Sequence, residues 1–201
     1  MPKAFSKAEK DAIRASLVDA ALRHFERTGI RAARVDDICH DVGIAKGSFY
    51  AFFPSKEELF MAIVGAREAQ HRTDMLAYID GSKGSATVRA RGFFDLILRK
   101  IEEDPILNLV VANNEAPHLL RKLGPERFAR AQQEDRDFAR DASRRWKKVT
   151  GTAIDAADLL SLMTITLSVA TQRRQMTADQ YEPAIKLLRD LFAARLTEHT
   201  K

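Results

Sequence analysis

The side chains that most often carry out enzyme chemistry are few in this sequence, and they form no catalytic set. A single cysteine, Cys39, excludes an internal disulfide framework, and the five histidines do not repeat a metal-ligand spacing. Gly-x-Ser-x-Gly, His-Glu-x-x-His and glycine-rich dinucleotide motifs are absent. The stretch GSKGS at 81–85 lacks the Lys-Ser/Thr ending of a phosphate loop. We therefore expect no catalytic site, no metal and no cofactor.

Cys39 and the adjacent acids Asp36 and Asp37 have plainer interpretations than reactivity. Cys39 shares an apolar helical stripe with Val35 and Ile38, so we expect a buried side chain rather than a redox switch. Asp36 and Asp37 would point about 100° apart on a helix, in a first turn where carboxylates favour the helix dipole. We expect all three residues to be structural.

The stretch GIAKGSFYAFF at 43–53 is better suited to contact with a polyanion. On a helix, three phenylalanines would share the buried face: Phe49, Phe52 and Phe53. The opposite face would present small residues flanked by hydroxyl groups: Gly47, Ala51, Ser48 and Tyr50. Small residues allow close backbone approach, while a hydroxyl and a phenol can reach base edges or phosphates. Lys46 and, in the next helix, Lys56 would add cations near helix N-termini that already favour an anion.

Helical periodicity positions these residues, and no segment shows a run of alternating apolar and polar residues typical of a strand. The fold class is therefore all-α, with about nine helices. The first helix begins near residue 7 and ends at Gly29, and the second covers 35–42 before Gly43. The third ends at Pro54, and Ser55 caps the fourth with Glu58 as its capping-box partner. Later helices are predicted at about 86–103, 105–121, 125–150, 155–174 and 179–198.

Residues 35–53 have the outline of a helix-turn-helix, in which the second helix can enter the DNA major groove. The geometry alone does not distinguish this reading from a packed helical hairpin with a tyrosine at its edge. The chain carries a net charge of +5 with a pI of about 9.4. This net charge does not decide between the two interpretations, because little of it lies in this part of the chain. Residues 1–60 hold ten basic and nine acidic residues. Any contact with nucleic acid must therefore depend on where single charges lie.

No apolar run approaches the roughly 20 residues that span a bilayer. The N-terminal MPKAFSKAEKDAIR has basic residues without an apolar stretch behind them, unlike a secretory signal. We expect a cytoplasmic protein with no membrane partner.

The stretch VDDICHDVGIAKGSFYAFFPSKEELF resembles the helix-turn-helix signature of the TetR family of bacterial transcriptional regulators. The resemblance by motif covers about residues 10–60. It implies a DNA-binding domain at 1–53 with Val35 to Val42 as supporting helix and Ala45 to Phe52 as recognition helix. It also implies a larger helical domain at 54–201 for dimerisation and ligand sensing.

Carried over by position, the resemblance implies DNA contacts by these residues: Arg34, Lys46, Gly47, Ser48, Tyr50 and Lys56. Lys46, Gly47 and Ser48 would face bases or nearby phosphates, while Tyr50 and Lys56 would each bind a phosphate. The chain departs from the family at three positions. Arg34 stands where a threonine is usual, Ala45 removes a common side-chain cap worth about 1 kcal/mol, and Phe52 replaces a usual His or Tyr.

The last two helices, at about 155–174 and 179–198, carry more apolar surface than one small domain needs, which predicts a homodimer interface. A dimer would read a palindromic operator in double-stranded DNA, and the resemblance implies repression relieved by a small-molecule effector. An activator, or a protein-interaction module that retains the fold, is the alternative.

An effector pocket could be lined by apolar and polar residues from the central helices. Candidates are Phe93, Phe94, Ile97, Asn113, Asn114, His118 and Asp135. The aromatic members could equally be core, and the polar members could mark the solvent end of an apolar helix.

Overall fold

The computed structural model describes residues 6–112 and 115–198, without the side chains of Asn108, Val111 and Ala112, and all regular secondary structure in this part of the chain is helical. Within it lie ten α-helices and one 3-10 turn, Arg173–Gln175. The helices are α1 Lys7–Ala32, α2 Val35–Val42, α3 Lys46–Phe49, α4 Lys56–Gly81, α5 Ala86–Glu103, α6 Pro105–Ala112, α7 Ala116–Leu123, α8 Pro125–Thr150, α9 Ala156–Ala170 and α10 Ala178–Thr197. The all-α prediction is confirmed, and the segment predicted as one helix at 105–121 consists of α6 and α7.

Helix α1 is capped at its start and interrupted near its end. Ser6 and Glu9 form a capping box, in which the Ser6 side chain accepts from the Glu9 N–H and the Glu9 carboxylate accepts from the Ser6 N–H. Gly29 has φ 79° and ψ 164°, a conformation that strains any residue with a Cβ. The regular helix therefore stops at Gly29, as predicted, and a short helical segment continues to Ala32.

The turn between α2 and α3 is set by Gly43, which has φ 74° in the left-handed region. The next N–H, of Ile44, donates to the Cys39 carbonyl at 3.0 Å and closes the end of α2. After α3, Pro54 ends the turn, and the Ser55 hydroxyl accepts from the Glu58 N–H at 3.1 Å. Ser55 is thus the N-cap of α4, as predicted.

Contacts along the chain define two compact units, which are described separately. The first comprises residues up to Arg67 together with Pro105–Glu126, and the second comprises Glu68–Asp104 with the chain from Arg127 onward. Helices α4 and α8 contribute residues to both.

The first unit buries aromatic side chains of α1, α3 and α4. Phe25 and Phe60 are fully buried and meet edge to face, with ring centroids 5.6 Å apart. Phe49 is fully buried as well, and its ring lies 6.1 Å from that of Phe53. Burying each such side chain contributes about 1.5–3 kcal/mol. Cys39 is buried in this unit, as its apolar stripe predicts.

The second unit has its own aromatic core around Trp146 and Phe93. The Trp146 ring stacks on Phe93 with centroids 6.4 Å apart, and its Nε1–H donates to the Leu196 carbonyl at 3.0 Å. Gly92 makes room for Tyr78, because a Cβ at that position would lie 2.0 Å from the Tyr78 hydroxyl. None of the helices in the described ranges is long and apolar enough to cross a membrane.

Candidate nucleic-acid interface

Helix α3 buries phenylalanines on one face and presents small and hydroxyl-bearing residues on the other. Phe49 and Phe53 are buried, whereas Gly47 is exposed and the Tyr50 side chain is 51% exposed. Ser48 is half-buried at the edge between the faces. The predicted outward face therefore exists in the structure.

The α3 helix is shorter than the predicted Ala45 to Phe52. It ends at Phe49, and the Ala51 and Phe52 N–H groups donate to carbonyls three residues earlier. The chain tightens here because Pro54 follows closely and cannot continue a helix. As a result Phe52 is only half-buried and does not join Phe49 and Phe53 in the core.

Arg14 of α1 fixes the end of this segment. Its guanidinium donates to the Phe52 carbonyl at 3.3 Å and lies 4.3 Å from the centre of the Phe53 ring. Nothing in the local sequence distinguishes Arg14 from the other basic residues of α1, so this contact could not be predicted.

Lys46 is paired with an acid of the supporting helix. Its Nζ donates to Asp36 Oδ2 at 3.0 Å, and both side chains are about half exposed. The hydrogen bond and charge of Asp36 raise the pKa of Lys46, and the nearby guanidinium of Arg34 opposes that rise. Asp36, which we expected to serve only the helix dipole, therefore also holds the cation predicted to face DNA.

Arg34 is the N-cap residue of α2, and its side chain makes no capping hydrogen bond. The residue is exposed, and its carbonyl accepts from the Ile38 N–H at 3.2 Å. Within the described residues, no hydrogen bond or ion pair is recorded for its guanidinium. The guanidinium is thus available to an external anion.

Lys56 faces the protein main chain. Its Nζ donates to the carbonyls of Arg31 and Ala33, each at 2.8 Å. These bonds join the start of α4 to the end of α1 and satisfy carbonyls that a helix end leaves open. The predicted phosphate contact of Lys56 stays a prediction, and its third N–H remains for it.

These residues border one open groove with a volume of about 440 Å³. The groove lies between the start of α2, the α3 segment and the start of α4. Its lining residues are Ala33, Arg34, Val35, Asp36, Lys46, Tyr50, Pro54, Ser55, Lys56 and Glu57. The structure therefore brings Arg34, Lys46, Tyr50 and Lys56 together, with Gly47 and Ser48 next to Lys46 on α3.

The residues predicted to line an effector pocket have other neighbours in the structure. Phe93, Phe94 and Ile97 belong to the buried core of the second unit. His118 Nε2 lies 3.0 Å from Glu57 Oε1 in the first unit. Asp135 accepts from Arg72 at 3.1 Å in the second unit. Asn113 and Asn114 lie outside the described residues. The pocket assignment stays a prediction.

No group of three or more His, Cys, Asp or Glu side chains in the described part of the chain could hold a metal ion.

Comparisons with known proteins point to one family. Residues 17–63 match the model for bacterial regulatory proteins of the tetR family. The HTH-type transcriptional regulator YfiR of Bacillus subtilis is 31% identical over 74 residues, which are 36% of this chain and 36% of YfiR. The chain thus matches about a third of that relative's length.

Two solved structures share the fold over nearly the whole chain. A TetR-family transcriptional regulator from Pectobacterium atrosepticum is 18% identical with a TM-score of 0.70, covering 98% of this chain and 100% of that one. The regulator FadR of Bacillus subtilis in complex with stearoyl-CoA is 15% identical with a TM-score of 0.62, covering 91% and 97%.

The TetR family is a non-enzymatic family of DNA-binding transcriptional regulators. The matched region contains the residues that form α2, α3 and the start of α4, which border the groove. Residues 17–63 of the chain therefore form a helix-turn-helix domain of the TetR family.

Proposed function

We propose that this protein is a homodimeric repressor that binds a palindromic operator and is released by a small-molecule effector. The observation that carries the proposal is the outward face of α3. On this face Gly47 and Tyr50 are exposed and Ser48 is half-buried. Phe49 is buried beneath them, so the face is supported by the core and open to a partner. A major groove admits such a helix, and small residues let its backbone approach base edges.

The residues around the groove divide by chemistry into two roles. Arg34, Lys46 and Lys56 carry the charge that phosphates require, and the Tyr50 phenol can donate to a phosphate oxygen. Gly47 and Ser48 lie on the α3 surface and would meet base edges. Phosphate contacts set affinity for any sequence, whereas base contacts set which sequence is preferred.

The dimer is supported by the outer surfaces of α9 and α10. Leu187 and Leu191, one turn apart on α10, are 62% and 55% exposed. Ile165 and Leu167 on α9 are also exposed, at 49% and 37%. Exposed apolar side chains concentrated on two neighbouring helices are typical of a subunit interface.

The hydroxyl-bearing residues of α9 are also compatible with a buried interface. The hydroxyls of Ser161, Thr164 and Ser168 each donate to the carbonyl four residues earlier, at 2.8, 2.9 and 2.8 Å. These hydroxyls are satisfied within the helix, so covering them would not leave an unpaired donor. A second copy of the chain is therefore an acceptable neighbour for this face.

Two α3 helices related by a two-fold axis would read half-sites roughly 34–36 Å apart.

Release by an effector is explained by thermodynamic linkage between effector binding and DNA binding. An effector that prefers a dimer with wrongly spaced α3 helices weakens DNA binding by that preference alone. We propose an effector with an apolar part, because the central helices are rich in apolar residues. Stearoyl-CoA, bound in the FadR structure, belongs among the ligands tested.

The operator can be found by selection from a pool of genomic DNA fragments with the purified protein at moderate salt. The proposal predicts an enriched inverted repeat, and recovery of no such sequence would contradict it. A reporter gene placed behind the selected sequence separates the two possible outputs. Lower expression with the regulator present supports repression, and higher expression would identify an activator.

A further inference from the structure

Glu115 is a buried acid that the DNA contacts do not use. It immediately precedes α7, is 2% exposed, and has both carboxylate oxygens engaged by residues more than eighty positions earlier in the chain. The Ile30 N–H donates to Oε1 at 3.1 Å, and Arg31 Nε donates to Oε2 at 3.1 Å. All three residues belong to the first unit.

The Glu115 side chain is directed away from its own helix. Glu115 is the N-cap residue of α7, yet its carboxylate makes no capping hydrogen bond there. Its main chain is fixed locally instead, because its N–H donates to the Val110 carbonyl and its carbonyl accepts from the Leu119 N–H, both at 3.0 Å. Backbone hydrogen bonds to α6 and α7 thus hold the main chain of Glu115, while its carboxylate accepts hydrogen bonds from Ile30 and Arg31 at the end of α1.

The segment that Glu115 holds is the junction between α1 and α2. Ile30 and Arg31 follow Gly29, where the regular α1 helix breaks. Lys56 binds the Arg31 and Ala33 carbonyls from α4, and Arg34 comes next as the N-cap of α2. A buried carboxylate is tolerated only while its hydrogen-bond donors stay in place, so Glu115 and the junction constrain each other.

A second contact joins α7 to the same region. His118 Nε2 lies 3.0 Å from Glu57 Oε1, and Glu57, 7% exposed, is next to Lys56 at the start of α4. The segment 115–118 therefore holds both neighbours of the helix-turn-helix, the junction before α2 and the start of α4.

We propose that Glu115 is a positioning residue for DNA binding, whose carboxylate fixes the α1–α2 junction so that Arg34 meets a DNA phosphate. This inference rests on the proposed DNA-binding function. It adds that the strength of the Arg34 contact is set by a residue outside the helix-turn-helix.

A double-mutant cycle tests the inference, with fluorescence anisotropy of a labelled random-sequence duplex as the readout. Arg34→Ala is expected to weaken binding of the wild-type protein by about tenfold. In Glu115→Gln, which keeps the shape but loses the charge that holds Arg31, Arg34→Ala is expected to weaken binding by less than about twofold. Tyr50→Phe is the matched control, because α3 is held by Arg14 and the core. It is expected to weaken binding by the same factor in both backgrounds.

If Glu115→Gln reduced the effects of Arg34→Ala and Tyr50→Phe on DNA affinity equally, the cause would be a general loss of structure. That result would overturn the inference. Equal Arg34 effects in both backgrounds would also overturn it, with DNA binding intact. If Glu115→Gln does not fold by circular dichroism, Glu115→Asp decides the question in the same cycle. It keeps the charge but is too short to reach both Ile30 and Arg31. A wild-type protein that binds no duplex would instead refute the proposed function itself.

Discussion

Lys46 Nζ lies 3.0 Å from Asp36 Oδ2, so an acid of α2 holds a cation of α3. In the DNA complex a phosphate would compete with Asp36 for Lys46. If Lys46 contacts DNA as proposed, the ion pair lowers the gain from a non-specific phosphate contact and leaves a larger share of affinity to base contacts.

Asp36→Asn should release Lys46 and raise affinity for random-sequence DNA by about two- to fivefold, the range expected of an exposed ion pair. Asp37→Asn is the control. It removes the same charge from the same turn of α2, and no ion pair is recorded for Asp37 in the described structure. Anisotropy titrations should show a smaller gain for Asp37→Asn. Equal gains would mean that net charge alone matters, and a loss in Asp36→Asn would mean that Asp36 itself accepts from a base.

Lys56→Met should destabilise the free protein by about 1.5–3 kcal/mol, because it removes two charge-assisted hydrogen bonds to main-chain carbonyls while keeping the apolar stem. Urea unfolding measures this change. Lys46→Met, which breaks only an exposed pair, should cost less than about 1 kcal/mol. If Lys56 also binds a phosphate through its third N–H, Lys56→Met will reduce the salt slope of DNA binding by about 1. Stability equal to wild type would show that the carbonyl contacts contribute little.

Leu187→Glu combined with Leu191→Glu should convert the proposed dimer to a monomer, since two charges would enter its apolar interface. Sedimentation velocity reports the mass, and the same sample should lose affinity for a palindrome more than for random DNA. Leu120→Glu on α7 is the control, because Leu120 is 50% exposed and lies outside α9 and α10. A double variant that remains dimeric would place the interface elsewhere.

Gly92→Ala should destabilise the second unit by about 1–3 kcal/mol. The added Cβ would lie 2.0 Å from the hydroxyl of Tyr78, whose ring stacks on Phe93 with centroids 6.0 Å apart. Tyr78→Phe removes the closest atom, so thermal unfolding of the double variant should recover part of the lost stability. No loss in Gly92→Ala would mean that Tyr78 moves freely.

Local features of this protein were predictable from the sequence, because each is fixed within a few residues. The breaks at Gly29 and Gly43, the Ser55 cap and the buried Phe49 depend on neighbours along the chain. The division of 105–121 into α6 and α7 was missed, although Pro117 is a residue that commonly marks the first turn of a new helix, as it does in α7. The later helices were otherwise located by their periodicity.

Side-chain partners that are distant in the sequence were not predictable. Glu115 binds Ile30 and Arg31, and His118 pairs with Glu57, only because the fold brings α7 beside the helix-turn-helix in the first unit. The charged residues that border the groove show the same limit. The sequence predicts that Lys46 faces DNA, but its Asp36 partner depends on how α2 and α3 pack.

Gly47→Ala provides the most direct test of the central claim that the α3 backbone approaches DNA bases closely. A Cβ on Gly47 would meet no atom within 4 Å in the free protein, so the unfolding free energy should stay the same or rise by up to about 1 kcal/mol. Gly65→Ala is the matched control, because Gly65 also has nothing within 4 Å and lies in α4 of the same unit.

The measurement is the dissociation constant for the selected operator alongside urea unfolding of the same variants. The account predicts that Gly47→Ala loses at least about tenfold in operator affinity without losing stability, while Gly65→Ala binds as wild type. Wild-type affinity and sequence preference in Gly47→Ala would contradict the account, because a methyl group would then fit between α3 and the bases it is proposed to read.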